Sequence, residues 1–288
     1  MRPTKFAVTV EDFGYRFLQA FPSSHERSPS FESIRAATLV ALLLRVKAKP
    51  PSLRRRLLSQ QPPMKKPTAE RWHFAHSATI RAFQRRLITW YQKYGRDLPW
   101  RHTRDPYAIL VSEIMLQQTQ VQRAILYYEK FLQRYPTVEE LARADEPEVR
   151  ETWEGLGYYA RARNLQRTSQ QIVNEYAGRF PQDPEELATF PGIGPYTAGA
   201  VASFAFRRHA AILDTNAERV LTRFFALPPE RQTSRFLWEV AHWVTPKGKT
   251  YAFNQAIMDV GATICVARTP RCSACPLRPV CKSVTTKT

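Results

Sequence analysis

The 288 residues contain only four cysteines, and none lies before position 265. Disulfides therefore cannot staple the chain as a whole, and four thiols confined to the last 24 residues read as metal ligands in a reducing compartment. Long apolar runs are missing as well. The longest, Ala36 to Leu44, is bounded by Arg35 and Arg45 and falls far short of the roughly 20 residues of a membrane helix. No stretch shows the alternation of a half-buried strand. Acid is scarce, 25 Asp+Glu against 43 Lys+Arg, giving a net charge of +18 and a pI near 10.1. These absences exclude a disulfide-built secreted domain, a membrane-spanning helical protein and an all-β fold. What remains is a soluble, cytoplasmic, all-helical chain, 43% hydrophobic, whose charge suits a phosphate backbone.

The charge has two sources. Residues 1–76 hold 14 Lys+Arg and 5 Asp+Glu, and residues 77–288 hold 29 and 20, so each part carries +9. The first part mixes Pro, Ser and Arg without periodicity, as in Arg54-Arg55-Arg56 and Pro62-Pro63-Met64-Lys65-Lys66. It reads as a flexible basic extension that holds DNA nonspecifically, or as a dispensable tail or upstream extension of a frame starting at Met64. The basic character of the second part is its own.

Helical spacing of Phe83, Leu87, Ile88, Trp90 and Tyr91 predicts a first helix over 78–94, and Pro106 opens a second that carries Tyr107 to Leu116. Glu113 is the anomaly there. An acid inside an apolar run is desolvated and kept protonated near neutrality, which makes it a proton donor. The alternative is a Glu on one exposed stripe. Further helices are expected near 122–134, 137–143, 146–154 and 159–178. The corner Gly157-Tyr158-Tyr159-Ala160-Arg161 puts aromatics beside arginine, a combination suited to bases and phosphates. Phe190-Pro191-Gly192-Ile193-Gly194-Pro195 reads as a glycine hairpin feeding a helix whose free amides face an anion, with Gly192 and Gly194 supplying special dihedrals. Asp214 and Asn216 follow just beyond. Cys265, Cys272, Cys275 and Cys281 enclose six, two and five residues, a loop fit for either an iron–sulfur cluster or zinc. Arg268, Arg271, Arg278 and Lys282 surround it.

Together the segments Leu187–Gly199, Leu98-Pro99-Trp100-Arg101, Ser112–Gln120, Gly155–Arg161, Leu213–Asn216, Phe253–Asp259 and the cysteine spacing resemble the helix-hairpin-helix DNA glycosylases with a [4Fe-4S] loop. Within them they resemble the MutY-type adenine glycosylases, over about residues 80–284. The resemblance implies an all-α fold of two lobes: 77–103 with 208–288 carrying the cluster, and 104–207 forming a helical barrel with the hairpin. It implies a [4Fe-4S] cofactor on the four cysteines, Glu113 as the acid that protonates adenine, and Asp214 as the carboxylate facing the sugar cation, supported by Asn216 and Tyr196. Arg101, Gln118, Thr119, Tyr158, Gly192 and Gly194 become DNA-binding residues, Gln118 and Tyr158 by entering the base stack. Tyr196 stands where bifunctional relatives carry lysine, so water is the nucleophile. The implied partner is double-stranded DNA with a mismatched adenine, bound by a monomer. Family members usually continue into a domain that inspects 8-oxoguanine, whereas seven residues follow Cys281 here; weak discrimination of the opposite base is the expectation. A mismatch thymine glycosylase and a catalytically silent DNA-binding module are the alternatives; Glu113 argues against the first, since thymine offers no purine ring nitrogen to protonate, and Glu113 with Asp214 against the second.

Overall fold

The computed structural model describes residues 77–285, and the readings made of residues 1–76 lie outside them. Among the described residues there is no β-strand. The helices are α1 (Ser77–Tyr94), α2 (Pro106–Leu116), α3 (Val121–Arg134), α4 (Val138–Arg143), α5 (Glu146–Thr152), α6 (Ala160–Tyr176), α7 (Pro184–Leu187), α8 (Pro195–Phe204), α9 (Thr215–Phe225), α10 (Ser234–Val244), α11 (Thr250–Thr263) and α12 (Lys282–Thr285). Their starts follow local chemistry. Asp105 caps α2 by accepting from Tyr107 N at 3.0 Å, with Pro106 in the first turn, and Thr137 and Glu140 form a reciprocal capping box on α4.

Two apolar cores result. The first collects α2, α3, α4, α6 and α8 around Tyr107, Leu110, Phe131 and Trp153, and it takes in Leu98 and Trp100. In the second, α1, α9, α10 and α11 pack around Phe83, whose ring centroid lies 4.3 Å from that of Phe224 and 5.8 Å from that of Phe253. Two segments serve both. Along 210–213 the side chains alternate, Ala210 and Ile212 into the first core and Ala211 and Leu213 into the second, the period of two that extended backbone imposes. Helix α11 likewise packs Tyr251 and Met258 against the first core and Phe253, Ile257 and Val260 into the second. Asp214 directly follows the alternating segment, so it is delivered to the seam where the cores meet.

At the hairpin only one glycine uses its freedom. Gly192 has φ +74, and a Cβ there would lie 2.9 Å from Asn164 Cβ on α6. Gly194, expected to need the same, instead caps α8 in ordinary extended backbone (φ −87, ψ 176); its neighbour has already made the reversal. Gly199 is required by packing, since a Cβ would stand 2.4 Å from Ala211 O. That approach presses α8 onto the segment leading to Asp214.

Candidate active site

Glu113 lies in the last turn of α2 and is 4% exposed. Its Oε2 has no hydrogen-bond partner. Burial pushes the carboxyl up from 4.5 to about 7; the Tyr196 hydroxyl opposes this, the charge of Asp214 adds to it and Arg101 opposes it. The exposed-stripe alternative is thereby removed. Tyr196 opens α8 and shares its hydroxyl between Glu113 and Met258 Sδ, the latter at 3.3 Å. One phenolic proton serves one acceptor at a time. A protonated Glu113 can donate to Tyr196 while Tyr196 donates to sulfur, and an ionised Glu113 takes the phenol proton itself. Burial first, then the charges of Glu113 and Asp214, hold the phenol well above its ordinary value, so it stays a neutral donor.

Asp214 is the N-cap of α9. Its Oδ1 accepts from Ala217 N at 2.7 Å and its Oδ2 from Asn216 Nδ2 at 2.8 Å, which places a carboxylate at the positive end of an 11-residue helix. The Asn216 amide is oriented from its other side, where Arg219 Nη2 donates to Oδ1 at 2.7 Å. Arg219 also reaches Gly261 O at 2.8 Å and, through Nε, Cys265 O at 2.7 Å. A chain of hydrogen bonds therefore runs from the first cysteine of the loop to Asp214.

Arg101 departs from the expected DNA contact. Its side chain is 6% exposed and is held by Asp259: Nη1 lies 2.8 Å from Oδ2 and Nη2 2.8 Å from Oδ1. Arg96 adds its Nε at 2.6 Å and its amide at 2.9 Å. Burial alone would raise the Asp259 carboxyl, but the hydrogen bonds and charge of Arg101, then of Arg96, hold it below the usual carboxylate range. The guanidinium thus faces protein, not phosphate, and only its Nε lacks a partner. Trp100 is core, edge-on to Tyr128 at 5.4 Å.

Gln118 and Tyr158 are exposed at two loop tips, each in left-handed backbone with φ 56 and φ 48. Thr119 is half-buried between Gln118 and Gln120. Gly192 and Gly194 are exposed, and the first turn of α8 has no side-chain cap. Cys265, Cys275 and Cys281 pack against the second core while Cys272 is exposed, and no disulfide joins the four. Burial pushes the Cys275 thiol up to about 11, the Leu277 amide opposing and the other three thiols adding. Cys275 is therefore within electrostatic reach of the other three. No three metal-ligating side chains among the described residues are gathered as a single ion needs. Arg223 frames the loop, donating to Val266 O and Ala267 O at 2.7 Å and lying 3.6 Å from Cys265 Sγ.

Three residues escaped the sequence reading. Asp259 and Arg96 sit 163 positions apart; the charge of Asp259 among mostly apolar neighbours signals it, while Arg96 lies in a polar stretch that hides it. Met258 carries no such signal.

Residues 111–242 match the family described as HhH-GPD superfamily base excision DNA repair protein. The thymine-DNA glycosylase of Aeropyrum pernix is 39% identical over 215 residues, covering 72% of this chain and 96% of that protein. The chain belongs to the HhH-GPD superfamily. Among its HhH-GPD relatives, the adenine DNA glycosylase of Rattus norvegicus is 38% identical over 279 residues, 92% of this chain and 54% of that protein. The chain thus spans about half the length of that relative, and the likeness reaches into the residues before 77. A solved thermostable thymine-DNA glycosylase superposes with a TM-score of 0.68 at 33% identity, covering 73% of this chain and 98% of its own.

Proposed function

We propose that the protein excises mispaired adenine from double-stranded DNA, opposite guanine or 8-oxoguanine, and leaves an abasic site. One observation carries the reading. A buried carboxyl with an unpartnered oxygen, held near neutrality, lies within electrostatic reach of a second carboxylate whose two oxygens are fixed as acceptors. A buried carboxyl group that holds its proton beside a second carboxyl group fixed by hydrogen bonds fits the logic of glycosidic bond cleavage. Glu113 donates its proton to a ring nitrogen of adenine, the C1′–N9 bond breaks with its electron pair leaving on the base, and Asp214 faces the cationic sugar. Water then adds to C1′ and its proton returns to Glu113. The unpartnered Glu113 Oε2 is the polar atom left for a planar base. No lysine occurs from 131 to 246, and Tyr196 stays a neutral phenol, so no Schiff base forms and the strand remains intact.

Gln118 and Tyr158, with Thr119 beside them, wedge into the stack as the nucleotide is extruded. The uncapped amides at Gly192–Pro195 bind a backbone phosphate. The first core belongs mainly to a barrel lobe of 104–207, with Leu98, Trp100, Ala210 and Ile212 entering it from outside, and the second to a lobe of 77–103 and 208–288. Cys265, Cys272, Cys275 and Cys281 hold a [4Fe-4S] cluster, whose iron–thiolate bonds close the loop that Arg219 and Arg223 grip. The protein acts as a cytoplasmic monomer; no helix among the described residues is long and apolar enough to cross a membrane.

The test is strand cleavage after alkali, on duplexes with A opposite 8-oxoguanine, A opposite guanine and T opposite guanine. Alkali-dependent breaks at adenine are expected. Breaks only at thymine would transfer the chain to the activity named for its Aeropyrum relative, and no break on any duplex would leave a DNA-binding module. A brown protein with about four irons, lost in Cys275→Ser, is the expected mark of the cluster; a colourless zinc protein contradicts it.

A further inference from the structure

Helix α2, which carries Glu113, ends without a capping motif. Gln117 follows Leu116 in extended backbone (φ −60, ψ 112), so the last carbonyls have no partner within the helix. One side chain collects them. Arg161 Nη1 lies 3.0 Å from Ile114 O, 3.0 Å from Met115 O, 2.5 Å from Gln117 O and 3.3 Å from Thr119 Oγ1. Its Nη2 reaches 3.0 Å to Leu156 O and 3.1 Å to Gly157 O. Its guanidinium carbon is 5.5 Å from the Trp153 ring centroid and 5.6 Å from that of Tyr158. The arginine looked from sequence like a phosphate ligand at a glycine corner. Both of its amino groups are taken by protein acceptors instead.

Those acceptors belong to the end of α2 with the 117–119 loop that follows it, and to the 156–157 loop, far apart in the chain. Each loop presents an exposed non-glycine residue in left-handed backbone, Gln118 and Tyr158. Such backbone is disfavoured for side-chain-bearing residues and persists where the surroundings impose it. A planar donor fork bound to carbonyls on both sides is such an imposition, and neither loop supplies it to the other.

We propose that Arg161 is a positioning residue that fixes the separation and backbone of the two loops, so that Gln118 and Tyr158 enter the base stack as one device. This rests on the reading of those two side chains as the wedge, and adds what couples them. Lysine cannot replace the arginine, because a compact ammonium lacks the rigid fork that spans both sets of carbonyls.

The experiment compares Arg161→Lys and Arg161→Gln with the unaltered full chain in three measurements. The first is thermal unfolding. The second is 2-aminopurine fluorescence, with the fluorescent base in place of the target adenine opposite guanine, read in an Asp214→Asn background that keeps the base attached. The third is single-turnover excision of adenine opposite guanine and of adenine in an unpaired bulge already outside the stack. Both Arg161 variants are expected to lose the fluorescence rise and to excise paired adenine about 100-fold more slowly, the scale of an ångström-sized misplacement. The bulged adenine, which needs no extrusion, is spared by comparison. Rescue by lysine would overturn the proposal in favour of a simple phosphate contact. Equal loss on both duplexes with a lowered unfolding temperature would overturn it in favour of general scaffolding. An unaltered chain that raises fluorescence yet excises no adenine would fail the glycosylase reading alone, and the fluorescence arm would still judge Arg161.

Discussion

Replacing Glu113 by Gln is expected to abolish excision and stabilise the protein, with a gain that grows as pH rises. Burial raises the folded-state carboxyl from 4.5 to about 7. The folded protein therefore binds a proton there that the unfolded chain has released, and stability falls as pH rises through that interval. Below the unfolded value the group is neutral in both states and contributes nothing; above the folded value the full penalty is present. At about 1.4 kcal/mol per pH unit, the interval from 4.5 to about 7 amounts to roughly 3 kcal/mol. Gln keeps the shape and never ionises. The variant should match the wild type near pH 4.5, exceed it by about 1 kcal/mol at pH 5 and by about 3 kcal/mol at pH 8. For a body of this size that is roughly 6–12 °C in unfolding temperature. The assay is paired thermal or urea unfolding of both proteins from pH 5 to 9, where every other group titrates alike and cancels. A difference independent of pH, or a variant less stable at pH 8, would refute a buried acid held near neutrality.

Asp214→Asn should separate catalysis from folding: asparagine caps a helix about as well as aspartate, so unfolding should shift by less than about 1 kcal/mol, while single-turnover excision drops by at least ~100-fold with the charge that faces the sugar cation. Asp259→Asn leaves the Arg101 guanidinium buried without its anion and should destabilise by about 3–5 kcal/mol, measured by urea unfolding; a change under about 1 kcal/mol would mean that the ion pair is solvated. Gly199→Ala drives a Cβ against Ala211 O and should lose about 1–3 kcal/mol of stability together with excision, because the displaced segment carries Asp214. Retained activity would show that the seam yields elsewhere.

The helices were legible because their signals are local. Proline, Asp105 and the capping box at Thr137 mark starts within four residues, and the apolar period marks the buried face. Glu113 was legible for the same reason, as one acid in an apolar run. What escaped was pairing. Arg101 and Arg161 read as contacts for DNA because sequence shows a cation and not its partner, and the carboxylate of the one and the α2 carbonyls of the other lie 158 and about 45 positions away. Gly194 misled in another way: Gly-x-Gly suggests two unusual dihedrals where the turn needs one.

That pattern has a physical reason. A basic chain bound to DNA must keep some arginines exposed, yet an active site built where two cores meet needs its backbone fixed without help from either core alone. Carbonyls in the last turn of α2, at the Leu156–Gly157 corner and around Cys265 are not all paired within their own helices, and the side chain that can satisfy several at once over a long reach is arginine. Arg161, Arg219 and Arg223 each do this with two or more main-chain oxygens. The charge that suits a phosphate backbone and the donors that hold the candidate site therefore come from one residue type. Net charge alone, +9 over residues 77–288, overstates what remains to meet a phosphate.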